Sequence, residues 1–182
     1  IPNIYLIHGD LSDAEMNSLY NHPKVKSMIS FTKGEGFGRP LLEFSLTGKP
    51  ILAPNWSAQV DFLNKEYTTL LPGELTPVHQ SAADQFILKE AKWFTVNYAY
   101  AAKILQDVVD NYKTYLERAR KQGHYSRTNF NRNKMDELFC TIIEKGLSNV
   151  PQQMGLKLPK LKKLETSKPP SINLPKLKKV EA

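Results

Sequence analysis

Val25-Lys-Ser-Met-Ile-Ser-Phe31, Lys33-Gly-Glu-Gly-Phe-Gly38, Pro40-Leu-Leu-Glu-Phe-Ser-Leu-Thr-Gly48 and Pro50-Ile-Leu-Ala53 follow one another almost without interruption. The first and last are apolar, β-prone runs. Between them stand a glycine-rich turn and a segment with Pro at its start and Gly at its end, the asymmetry of a helix. Two strands joined through a helix run parallel, and a parallel sheet needs cover on both faces. Upstream, Ile4-Tyr-Leu-Ile7 reads as a strand ending at His8-Gly9. Ser12 with Glu15 three residues on is a capping box; it opens a helix that buries Met16, Leu19 and Tyr20 and stops before Pro23. Downstream, 57–63 reads as a short helix and 67–71 as a fourth strand. The expected fold class is α/β, a Rossmann-like parallel sheet flanked by helices.

Farther along, Tyr98, Ala102, Leu105, Val109, Tyr112 and Leu116 recur at steps of four and three. This periodicity predicts one long helix with that stripe packed inward, ended by Gly123. A last helix over 133–145 presents Met135, Leu138, Phe139, Ile142 and Ile143, with Cys140 expected as a small buried hydrophobe. Beyond Gly146 the composition changes. Residues 151–182 lack aromatics and carry Pro151, Pro159, Pro169, Pro170 and Pro175, which forbid a continuous helix. Leu158-Pro-Lys-Leu-Lys-Lys-Leu-Glu165 recurs as Leu174-Pro-Lys-Leu-Lys-Lys-Val-Glu181. The chain thus reads as a domain over 1–150 and a disordered basic tail over 151–182 with two LPKLKK repeats.

Charge follows the same division. The net charge is +7, yet residues 1–150 hold 17 Lys+Arg against 16 Asp+Glu, so +6 of it lies in the tail. The basicity therefore describes an appendage able to contact an anionic surface or a protein, and leaves the domain nearly neutral. At 182 residues and 41% apolar, the chain can build one globular core but not two full-sized ones. A single cysteine excludes an intramolecular disulfide scaffold and fits a reducing compartment. No apolar run reaches the ~18–20 residues of a membrane-spanning helix. Ile1 opens no signal-peptide pattern, so the chain is expected to be a piece of a longer protein. Its expected location is the cytoplasm, with the tail able to hold it at a membrane periphery. His8, His22, His79 and His124 are scattered, without metal-ligand spacing. The turn lacks the Gly-Lys-Ser/Thr ending of a P-loop, and no Gly-x-Ser-x-Gly is present.

The chemistry concentrates in Glu35-Gly-Phe-Gly-Arg-Pro-Leu-Leu-Glu43. Glycines at 34, 36 and 38 let backbone N–H groups face one concavity. The helix that follows begins with unsatisfied N–H groups, and the pair suits a phosphate or diphosphate. A loop after a parallel strand lies at the carboxyl edge of the sheet, where open α/β folds bind ligands. Glu35 and Glu43 flank seven residues. A carboxylate beside a phosphate site is best used on neutral diols, so Glu43 is placed for a ribose. Glu35, nearer the turn, is placed for a sugar hydroxyl or for positive charge developing at a sugar carbon. The plainer alternative makes Glu35 a loop surface charge and Glu43 a helix-face charge.

With Ser12-x-x-Glu15 and its helix, Glu35-Gly-Phe-Gly-x-Pro-x-Leu-Glu43 and Thr47-Gly-Lys-Pro-Ile-Leu-Ala53, the sequence resembles the carboxyl-terminal domain of retaining glycosyltransferases of the group-1 (family 4) class. The resemblance is densest over 5–72 and continues loosely to about 147. It implies a GT-B architecture of two Rossmann-like domains, with a nucleoside diphosphate sugar bound to the second and its sugar passed to an acceptor hydroxyl with retention. Carried over, Glu35 is the catalytic-site carboxylate. Gly34, Gly36, Phe37, Gly38, Arg39 and Glu43 hold the donor, and Lys33, Asp61 and His8 are further candidates. Where the family commonly has Gly-Gly-x-x-Glu, this chain has Trp56-Ser-Ala-Gln-Val-Asp61, with Asp61 in place of the acid. The resemblance further implies a preceding amino-terminal acceptor domain, without which the chain is inactive. It implies no bound cofactor and no metal; the nucleotide sugar is substrate. An epimerase or phosphorylase on the same scaffold is the enzymatic alternative. A non-catalytic adaptor acting through its tail is the alternative of another class.

Overall fold

Ser12 caps the first helix, α1 (Asp13–Asn21), as its spacing predicts: its Oγ accepts from the Glu15 N–H, and Glu15 accepts from the Ser12 N–H at 2.8 Å. This is a computed structural model that describes residues 2–148, so the tail expected at 151–182 lies outside the described residues. The chain divides into two units, Ile1–Ile143 and Glu144–Ala182. The described part of the second is only the end of the last helix.

Three strands, β1 (Met28–Ile29), β2 (Ile51–Pro54) and β3 (Thr69–Leu71), pair parallel in the order β1-β2-β3. β2 is central and wholly buried, and its alternating side chains feed two cores. Ile51 and Ala53 join Leu41 and Phe44 of α2 (Arg39–Ser45) with Phe62 and Leu63. Leu52 joins Leu71 with Phe94, Val96, Ala101 and Val108. The protein is therefore mixed α/β, with helices on both faces of a parallel sheet.

Several expectations are corrected. Residues 4–7 form no strand: Ile4 and Leu6 are each 90% exposed, and the run pairs with nothing in the sheet. A β-prone run without a neighbour cannot satisfy its own backbone, and β-propensity alone does not supply one. The strand expected at 25–31 shrinks to two residues, because Lys26 O is taken by the Tyr112 hydroxyl at 2.9 Å. The helix expected at 57–63 is a single 3₁₀ turn, Ala58–Asp61. β3 starts late because the N–H groups of Tyr67 and Thr68 turn back to Asn64 O. An antiparallel hairpin of β4 (Gly73–Pro77) and β5 (Lys92–Val96) was not anticipated. The long helix breaks at Asn111 into α3 (Tyr98–Asp110) and α4 (Tyr112–Asn129).

The buried stripe of α3 also differs from the expected one. Ala101, Ile104 and Val108 pack inward, while Tyr98, Leu105 and Val109 face out, Val109 at 66% exposure. Gly123 does not end α4; it lies inside it, where a Cβ would stand 3.0 Å from Ser45 O. It is the close-approach point of α4 on α2. The last helix, α5 (Arg132–Ser148), leaves Met135, Leu138, Phe139, Ile142 and Ile143 exposed, and Cys140 is exposed as well. With no element among the described residues packed over it, an amphipathic helix buries neither its stripe nor its cysteine. α1 is also less enclosed than expected: Met16, Leu19 and Tyr20 are half-buried. Among the described residues no helix is long and apolar enough to cross a membrane.

Candidate functional site

The glycine-rich loop leaves β1, passes Glu35 and enters α2 at Gly38. Of its glycines only Gly38 needs to be glycine for its backbone. It holds φ +84° as the residue before α2, a left-handed conformation that costs an L-residue about 1–2 kcal/mol. Gly34 and Gly36 do not take up left-handed conformations. The N–H groups of Gly36, Phe37 and Gly38 donate to no protein acceptor among the described residues. Phe37 is 48% exposed and leans on buried Phe62, ring centroids 5.3 Å apart.

A residue the sequence did not single out fixes this loop. Ser57 accepts the Glu35 N–H at 2.9 Å, and its hydroxyl donates back to Glu35 O at 2.7 Å. To do so it adopts φ 70°, ψ −166°, a region that is essentially glycine's. Glycine would adopt this conformation freely but has no hydroxyl to make the two bonds. The stretch Trp56-Ser-Ala-Gln-Val-Asp61, notable in the sequence for its lack of glycine, was the only signal that could have drawn attention to it. On the other side of the loop, Lys33 O accepts the Phe94 N–H at 3.3 Å. Lys33 Nζ donates to Thr95 Oγ1 at 3.3 Å and stands over Trp93. Lys33 is thus held by the hairpin.

Glu43 and Arg39 face a different space, a groove of about 660 Å³ between α1 and α2. Leu11, Met16, Tyr20 and Pro40 supply much of its apolar lining. Lys49 sets its width by donating to Tyr20 O at 2.6 Å and His22 O at 2.8 Å, a cation on the last carbonyls of α1. Burial there lowers the Lys49 pKa. Arg39 Nε donates to Glu43 Oε1 at 2.6 Å, and this raises the Arg39 pKa further. Burial, then the Glu43 charge, raises that of Tyr20. The Arg39 side chain is 75% exposed, so the pair contributes little to folding and opens readily.

No protein-family model, curated protein or solved structure matches the chain.

The candidate residues thus fall into four places. Gly34, Glu35, Gly36, Phe37 and Gly38 form the loop, and none of them lines the groove that holds Arg39 and Glu43. Asp61 is elsewhere, at the rim of a second cavity of about 670 Å³ with Lys65, Arg118 and Tyr115. There Arg118 is spent on the sheet: it donates to Glu66 O at 3.0 Å and Thr68 O at 3.2 Å, capping carbonyls beside β3. His8 follows the exposed run 4–7, at no strand end, and lines neither cavity. Among the described residues no three His, Cys, Asp or Glu side chains gather as a metal site would require.

Chemically, the loop offers a run of free N–H donors with the Glu35 carboxylate, and the groove offers one guanidinium with the Glu43 carboxylate. N–H groups and guanidinium suit a doubly charged anion; the carboxylates suit hydroxyls on either side of it.

Proposed function

We propose that the chain is the donor-binding domain of a retaining, GT-B glycosyltransferase. It would bind a nucleoside diphosphate sugar and pass the sugar to an acceptor hydroxyl. The observation that carries this reading is a loop whose Gly36, Phe37 and Gly38 N–H groups are unclaimed and which leads through Gly38 into the helix that bears Arg39 and Glu43. The nucleoside lies in the groove against Leu11, Met16 and Pro40, and Glu43 accepts from the ribose diol. Arg39 holds Oε1 in the free protein and on binding leaves both oxygens to the diol. Arg39, opened from that pair, turns to the diphosphate, which the loop N–H groups also receive. The same donors stabilise negative charge on the departing phosphate as the sugar–phosphate bond breaks. Glu35, held by its backbone through Ser57, orders the sugar. Asp61 and His8 have no part in this arrangement. Lys33, fixed by Thr95 and Trp93, sets the loop without touching the donor.

Calorimetry of the chain with UDP, GDP, UDP-glucose and GDP-mannose tests the reading. At least one nucleotide pair binds, and Glu43→Ala weakens it about tenfold or more, the loss of a bidentate hydroxyl contact. Absence of binding across the panel, or unchanged affinity in Glu43→Ala, rejects it.

A further inference from the structure

Trp56 follows β2 at the carboxyl edge of the sheet and precedes Ser57, the residue clasped to Glu35. Its indole lies flat on Phe94, centroids 5.7 Å apart and planes within 2°. Phe94 is 5% exposed, whereas 41% of Trp56 remains open to solvent. Phe94 is in turn tied to the loop through its N–H on Lys33 O. One face of the indole is therefore backed and immobilised by the core, and the ring stands at the level of the Glu35 loop. Neither the indole N–H nor the Glu35 carboxylate has a protein partner among the described residues. A flat π face, a single donor at its rim and a neighbouring unpaired carboxylate match one ligand shape well. That shape is a ring with weakly positive C–H groups on its face and hydroxyls around its edge.

We propose that a pyranose ring stacks on Trp56 with its hydroxyls turned toward Glu35. The inference rests on the donor-site reading for its orientation. Glu35, which orders the sugar in that reading, is clasped to the residue after Trp56, so the platform lies at the sugar end of the ligand. The pyranose is either the donor's own sugar or that of a saccharide acceptor, and Trp56 is a specificity-determining contact.

The chain holds two tryptophans, so Trp93→Phe leaves Trp56 as the only one, excited selectively on the red side of the tyrosine absorption. This protein is titrated with UDP-glucose and GDP-mannose, each beside its free nucleoside diphosphate. It is also titrated with maltose in the presence of UDP. A sugar-bearing ligand is expected to change the emission, and Trp56→Ala, followed by calorimetry because it removes the reporter, to weaken that ligand about tenfold while leaving the matching nucleoside diphosphate unaffected. Trp56→Phe, which keeps a ring, retains most of the affinity, and Trp56→Leu replaces the alanine variant if circular dichroism shows the latter unfolded. Dependence on Trp56 in the nucleotide sugars assigns the donor's ring, and dependence in maltose assigns a saccharide acceptor. If nucleoside diphosphates bind but no sugar depends on Trp56, the platform is refuted and the donor reading stands. If maltose depends on Trp56 while no nucleotide binds, the donor reading falls and the platform stands. Equal weakening of sugar-bearing and sugar-free nucleotides also overturns the proposal.

Discussion

Gln122→Leu should destabilise the protein by about 2–5 kcal/mol, although the two side chains are similar in size. Gln122 is 1% exposed on α4 and joins that helix to the segment between the 3₁₀ turn and β3. Its Nε2 donates to Phe62 O at 2.7 Å and Ser126 Oγ at 2.9 Å, and its Oε1 accepts the Asn64 N–H at 3.0 Å. Leucine would strand the Phe62 carbonyl and the Asn64 amide, each at about 1–3 kcal/mol. Ser126 loses less, because its hydroxyl keeps Ser45 Oγ at 2.8 Å. The gain from burying an apolar side chain offsets part of the loss, which gives the range stated. For a domain of this size that is a fall in Tm of roughly 5–15 °C. Urea and thermal unfolding followed by circular dichroism would measure it, with the midpoint displaced and the m-value unchanged. The consequence extends to the site, since Phe62 also carries Phe37 of the loop. A loss below about 1 kcal/mol would refute the accounting, because the two backbone groups would then have found other partners.

Two further outcomes are specific. Burial, then the hydrogen bond to Asp107, pushes the Tyr115 phenol up to about 12. Its contribution is fully present below the unfolded pKa of about 10 and is lost as pH rises through 12. A spectrophotometric titration should lose the last phenol to ionise in Tyr115→Phe, while Tyr20 and Tyr112, which burial also raises, remain; identical titrations of the two proteins would contradict this. Within the loop, Gly38→Ala should cost about 1–2 kcal/mol for its left-handed backbone, its new Cβ meeting only ordinary contacts at 3.5–3.6 Å. Gly36→Ala, with nothing within 4 Å of its Cβ, should be near neutral, and equal urea midpoints for the two variants would show the φ argument to be mistaken.

What was legible in the sequence was local. Ser12 and Glu15 announce a cap, and Pro40 and Gly48 bracket α2. The burial of β2 follows from an uninterrupted apolar run. The hairpin was hidden because Gly73 and Pro77 bound β4 and read as breakers, while its partner lies beyond a long connection. α3 carries two overlapping apolar stripes of similar period. The bulkier one, through Tyr98, Leu105 and Val109, drew the prediction, and the one through Ala101, Ile104 and Val108 faces the sheet. Residues 4–7 have strand chemistry without a neighbour, which composition cannot reveal. At the site, the spacing of Glu35 and Glu43 was visible, but the Arg39–Glu43 pair and the Ser57 clasp are matters of geometry. The second joins positions 22 residues apart.

The clasp at Ser57 has a mechanical consequence. Two hydrogen bonds hold a backbone that would otherwise relax, and the strain of about 1–3 kcal/mol is comparable to what two such bonds return. Neither half is stable alone. If Glu35 lets go, only the Val60 N–H on the Ser57 carbonyl is left to hold Ser57 at φ 70°; if Ser57 relaxes, its hydroxyl leaves Glu35. The two segments therefore engage and release together, like a sprung catch with no half-closed position. Trp56, one peptide bond away, is carried by the same catch, so the carboxylate and the aromatic ring at this edge reach their working places at the same moment.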